Sequence, residues 1–235
     1  QLLISSAPDL FADTSNRIKV EGEAASAVAP PKGCRFSPRC PYAKEICREL
    51  EPELRALLGD KIYGADIAGL EQAVLSGLLE HGLTLGTAES CTGGLIAKRV
   101  TDLPGASAAF RGGIVSYTNE VKAALLGVDK ALLERSGAVC ADVAAAMARG
   151  ARSALGCSLA VSTTGVAGPG SDERGSPVGL VYAALSDGEH CWVRRLNLAG
   201  PAVGRERVRA LAANHALDLA RRYLRGLGME AEEQP

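Results

Sequence analysis

The spacing of hydrophobic positions changes character near residue 60. Before it the apolar side chains show no sustained period, and Pro30 and Pro31 fall in an irregular stretch. From about Ile62 the pattern turns regular and alternates helical with strand spacing, the signature of an α/β layer. In DIAGLEQAVLSGLLEH, residues 66–81, Ile67, Leu70, Val74, Leu78 and Leu79 share one helical face, and Gly82 closes the helix. The next segment predicts a short buried strand over 83–88 and a helix over 93–103 that stops before Pro104. RGGIVSYT, residues 111–118, alternates as a strand and carries Tyr117 to its C-terminal end, where Asn119 caps the helix EVKAALLG.

Asp129 caps a further short helix that Gly137 ends, and ADVAAAMARGARSALG is a strongly Ala-rich helix. SLAVSTTGVAG then predicts a buried strand running into the loop GPGSDERGSPVG, whose Gly and Pro density prevents regular structure. Strands over 178–186 and 190–197 form a hairpin about Asp187 and Gly188, and a long helix runs from Pro201 to about Arg225. The organisation expected is a tail over 1–60, an α/β domain over 61–228 and a frayed C-terminus over 229–235.

Composition narrows the class. The hydrophobic fraction of 47% rests on Ala, Leu and Val with only 4% aromatics, so the core is aliphatic and packed around small residues. A net charge of -1 gives no electrostatic footprint for nucleic acid. No apolar run reaches the roughly 18 residues that cross a bilayer, and the N-terminal segment lacks the zones of a signal peptide, so a cytoplasmic location is expected. The chain opens at Gln1 without Met, which reads as a processed or truncated start. Seven cysteines, an odd number, point to reduced thiols rather than a secreted disulfide framework.

Three of those thiols, Cys34, Cys40 and Cys47, lie in GCRFSPRCPYAKEICRELEPEL. This block resembles the C-terminal tail of the ATPase subunits of oligopeptide and dipeptide ABC importers, over residues 1–58. Some of that family hold an iron-sulfur cluster on four tail cysteines, and such clusters need four thiolates in most cases. Here there are three, the next being Cys91, so three free thiols in a remnant is the favoured reading and a cluster remnant the alternative. No G-x-x-x-x-G-K-[ST] phosphate loop occurs, so the motor of such a subunit is missing.

The chemistry concentrates in TAESCTGG, residues 87–94, which sets Ser90 and Cys91 where a strand meets a helix. A helix start offers unpaired N–H groups to an anion or an oxyanion, although Ser and Thr before Gly also mark an ordinary cap. Amide hydrolysis needs a nucleophile, a base, oxyanion donors and an acid for departing ammonia. Ser90 can be the nucleophile, with Cys91 as its rival, because a thiol at a helix start is reactive. Tyr117 and Lys122 are placed to face the crevice above the strand ends, and either can take the Ser90 proton if its pKa is lowered. The plain alternatives are a core tyrosine with a wet hydroxyl and a solvated lysine.

TAESCTGG, SYTNEVK at 116–122, TTGVAGPGS at 163–171 and GRERVR at 204–209 together resemble the CinA C-terminal domain family, over residues 62–226. The resemblance implies a three-layer α/β/α domain, often dimeric, that hydrolyses the carboxamide of nicotinamide mononucleotide to nicotinic acid mononucleotide and ammonia. It implies catalytic roles for Ser90, Tyr117 and Lys122, with Cys91 a neighbour, and calls for no metal or cofactor. It leaves the base open between Tyr117 and Lys122. Substrate contacts fall on Glu89, Thr92, Gly93, Gly94, Thr164, Gly168, Gly170 and Arg205, while Arg207 and Arg209 read as solvated helix residues. For Glu89 the alternative is a carboxylate that complements the helix dipole. Gly204, Ser176 and Cys140 stand where the family commonly has Asp, Lys and Ser, and the first two favour as second reading a non-catalytic nucleotide-binding or regulatory domain. A third reading makes the importer-like tail the functional part, docked to a transporter.

Overall fold

The computed structural model describes residue 45 and residues 69–198 and 204–229. The chain divides after Ile62 into two units, and every helix and strand described belongs to the second. Cys34, Cys40, Cys47, Ile67 and the tail reading as a whole lie outside the described residues.

The domain runs α1 (Leu70–His81), β1 (Leu85–Glu89), α2 (Leu95–Thr101), a 3-10 turn (Ala106–Ala108), β2 (Phe110–Val115), α3 (Asn119–Leu126), α4 (Lys130–Ser136), α5 (Ala141–Leu155), β3 (Leu159–Gly165), β4 (Leu180–Ser186), β5 (Cys191–Asn197) and α6 (Arg205–Leu224). The sheet order is β2-β1-β3-β4-β5. The first three strands are parallel, and β4 and β5 add on antiparallel as a hairpin, so the sheet is mixed.

The period of two along each strand sorts side chains into two cores. Leu85 of β1 and Val161 of β3 join a cluster with α1, α2 and α6, whereas Ala88 and Ala160 face the opposite cluster built on α3, α4 and α5. Helices therefore cover both faces, giving the expected three layers. Because β1 is followed by a helix on one face and β2 by a helix on the other, a crevice opens above the C-terminal ends of these neighbouring strands.

Several boundaries differ from the pattern. Leu79 is half exposed, because the α1 stripe that faces the core is Leu70, Val74 and Leu78. The helix after TAESCTGG begins at Leu95, since Gly93 and Gly94 both take left-handed φ values of 60° and 91°. The strand before Tyr117 ends at Val115, and α3 is capped by Thr118, whose Oγ1 accepts from Val121 N–H. Gly204 is extended, so α6 starts at Arg205. Met229 packs against the first core instead of fraying, and residues 230–235 lie outside the described set.

Candidate active site

Ser90 follows directly on β1, and its N–H donates to the Thr163 carbonyl on β3. On the other side Ser116 N–H donates to the Glu89 carbonyl, so the ends of three parallel strands are stitched together at this level. Lys122, on the second turn of α3, reaches back over that rim. Its Nζ lies 3.1 Å from Ser90 Oγ and donates to the Ser116 carbonyl at 2.8 Å.

Lys122 is only 1% exposed, and among the described residues no carboxylate is bonded to it. Loss of hydration pushes its ammonium down from 10.5 to about 8. A lysine of that kind is substantially neutral near pH 8, and a neutral amine at this distance can take the serine proton. Its helix is held by close packing: a Cβ on Gly150 of α5 would collide with the Leu126 carbonyl at the end of α3.

Tyr117 occupies a different place. It is 57% exposed, beyond the strand end, and its hydroxyl accepts from Arg205 Nη2 at 2.9 Å. Arg205 Nη1 donates to the Gly168 carbonyl at 2.6 Å. Two anchors thus orient the guanidinium even though Gly204 supplies no capping side chain. Together Ser90, Cys91, Tyr117, Lys122, Thr164 and Arg205 line a pocket of about 210 Å³. A groove of about 850 Å³ shares Tyr117, Ala138 and Val139 with it.

The remaining expected contacts divide. The helix start, anticipated as open to a substrate anion, holds Glu89: its carboxylate is fully buried and accepts from Ile96 N–H at 3.0 Å and Ala97 N–H at 2.8 Å. The dipole-complementing alternative therefore describes Glu89, which meets α2 rather than the pocket. Gly93 N–H is committed to the Ser90 carbonyl, and Thr92 Oγ1 shares a 2.7 Å hydrogen bond with Thr163 Oγ1. Thr164 lines the pocket while its hydroxyl donates to the Ala138 carbonyl, pinning the loop before α5. Gly168 acts through its carbonyl. Gly170 is exposed, and no other protein atom stands within 4 Å of where its Cβ would be.

Cys91 lines the pocket, but burial pushes its thiol up from 9.0 to about 11, against the depressed value expected at a helix start. The helix start that would lower it is engaged by Glu89. One contact escaped the sequence reading. Arg209 is half-buried and donates from Nε to the Cys91 carbonyl at 3.2 Å and from Nη2 to the Thr92 carbonyl at 2.7 Å. Its spacing of four from Arg205 on one helix was the available signal. Among the described residues no group of three or more His, Cys, Asp or Glu is placed to hold a metal, and no helix is long and apolar enough to cross a membrane.

The fold and this pocket define the class: a three-layer α/β/α domain with a buried lysine set against a serine at a parallel-strand rim. The CinA C-terminal domain pattern matches residues 67–224, and the chain belongs to that family. The C-terminal region of oligopeptide/dipeptide transporters matches residues 1–47. A CinA-like protein from Desulfovibrio desulfuricans is 47% identical over 189 residues, covering 80% of this chain and 44% of its own length. One from Geobacter sulfurreducens is 50% identical over 184 residues, covering 77% and 43%. The chain thus spans less than half the length of these curated relatives. Among solved structures, competence/damage inducible protein CihA from Agrobacterium tumefaciens superposes with TM-score 0.62 at 36% identity, covering 67% of this chain and 95% of that one. A CinA superfamily protein from Klebsiella pneumoniae gives TM-score 0.64 at 29% identity, covering 67% and 96%.

Proposed function

We propose that the domain hydrolyses the carboxamide of nicotinamide mononucleotide, with Ser90 as nucleophile and Lys122 as the base. The observation that carries this reading is the buried Lys122 amine 3.1 Å from Ser90 Oγ. Neutral Lys122 takes the Ser90 proton as Oγ attacks the amide carbon, and the resulting ammonium returns a proton to the departing nitrogen, releasing ammonia. The acyl-serine ester is then cleaved by a water that gives its proton to Lys122, and the carboxylate product leaves with Ser90 restored. The Ser116 carbonyl supports the cycle by engaging one Lys122 N–H, which aims the lone pair at Ser90.

Size and charge support a nucleotide over a free amide. The pocket of about 210 Å³ is below the ~300 Å³ at which sites for whole drug-sized ligands begin, which suits one ring and its carboxamide. Arg205 at its mouth offers a planar cationic fork for a phosphate, and the adjoining groove gives the ribose a way out. Tyr117 then serves by holding Arg205, and Thr164 by fixing the Ala138 wall. In the same reading residues 1–60 are an importer-derived tail joined to this domain.

The test is ammonia release from nicotinamide mononucleotide, run beside free nicotinamide. The mononucleotide is turned over much faster, and Ser90→Ala abolishes release with the melting curve unchanged. Binding of the mononucleotide by calorimetry with no ammonia formed would sink the catalytic reading.

A further inference from the structure

We propose that Arg209 is a positioning residue for the nucleophile: its guanidinium clamps the Cys91–Thr92 and Thr92–Gly93 peptide groups and so holds Ser90 in reach of Lys122. This inference rests on the serine-lysine reading but not on the identity of the substrate.

Two successive backbone carbonyls face Arg209. Those of Cys91 and Thr92 both accept from Arg209, at 3.2 and 2.7 Å. Adjacent carbonyls turned the same way repel as parallel dipoles, and a bidentate cation removes that repulsion. In a trans peptide the N–H points opposite to its carbonyl. The clamp therefore aims Gly93 N–H away from α6, where it closes onto the Ser90 carbonyl at 3.1 Å. That contact makes the tight turn which, with Ser90 N–H on Thr163, fixes both sides of the serine backbone. Thr92 N–H is turned away in the same manner and has no acceptor among the described residues.

The turn is shaped to admit the clamp. Gly93 has φ of 60°, and a Cβ there would stand 3.2 Å from Arg209 Nη2. Arg205 and Arg209 lie four apart on α6, so one helix face sends one arginine to the pocket mouth and the other behind the nucleophile. Arg209 does not line the pocket, which separates positioning from substrate contact.

The experiment measures the rate at which a fluorophosphonate probe labels Ser90 in the full chain, together with kcat and KM on nicotinamide mononucleotide. Arg209→Ala is expected to slow labelling about 10- to 100-fold and kcat similarly, with KM within about twofold, because geometry at the reacting atom is lost while the pocket remains. Added guanidinium ion restores part of the labelling rate. Arg209→Lys, which keeps charge but not the bidentate fork, is slowed about three- to tenfold and melts near the wild-type temperature.

Wild-type labelling in either folded variant overturns the proposal. If Arg209→Ala does not fold, Arg209→Lys decides alone. A wild-type chain that takes up no probe overturns this inference together with the serine reading. Normal labelling with no turnover of the mononucleotide removes only the substrate.

Discussion

Lys122 Nζ stands 3.1 Å from Ser90 Oγ, buried from solvent. Since burial lowers its pKa to about 8, kcat/KM rises with pH through about 8 and levels off above, as neutral amine replaces ammonium. A pH–rate profile from 6 to 10 reads this directly. A flat profile across pH 8 would be incompatible with Lys122 as base.

The same lysine costs stability. Its pKa is about 8 folded against 10.5 unfolded, so between these values the unfolded chain binds more protons and stability rises with pH. Below about pH 8 both states are charged and the penalty is complete, on the order of 3 kcal/mol. Lys122→Met is expected to abolish turnover yet raise stability at pH 7 by about 1–3 kcal/mol. Urea melts of both proteins at pH 7 and pH 10 check it, with the gap narrowing at the higher pH.

The Tyr117 hydroxyl accepts from Arg205, so the proposed mechanism gives Tyr117 the task of holding that guanidinium and leaves the proton transfer to Lys122. Tyr117→Phe should raise KM about three- to tenfold and leave kcat within about twofold. A thousandfold fall in kcat would restore Tyr117 to the proton transfer.

Cys91 should be dispensable. With its thiol pushed up to about 11 it carries almost no thiolate at neutral pH. Cys91→Ala keeps activity within about threefold, and iodoacetamide treatment of the native protein leaves turnover intact.

Gly150 tests the distant support of the site. Its Cβ position coincides with the Leu126 carbonyl, so Gly150→Ala must displace α3, at a cost of about 1–3 kcal/mol. Moving α3 moves Lys122, and kcat is expected to fall at least tenfold even in molecules that remain folded. Thermal melts and kcat at 10 °C below the variant's Tm separate the two effects.

The alternation of helix and strand and the placement of Ser90 at a strand end were legible because both are local. Thr118 and Asn119 are adjacent cap-forming residues, so pattern alone could not choose between them. The burial of Lys122 was hidden, since it depends on α3 meeting α5 at Gly150, far along the chain. Glu89 was hidden for a related reason: a strand-end carboxylate reaching N–H groups seven and eight residues ahead has no short sequence signature. Arg209 looked like any arginine of an amphipathic helix until the turn it grips was in view.

Glu89 has one more implication. Because it already neutralises the positive end of α2, the scaffold itself exerts little pull on a negatively charged ligand. In the proposed mechanism, attraction of such a ligand falls instead to Arg205, an exposed side chain that mutation can exchange without touching the strand rim. If Ser90 and Lys122 react as proposed, exchange at Arg205 would change which ligand enters and leave the reacting pair as it is.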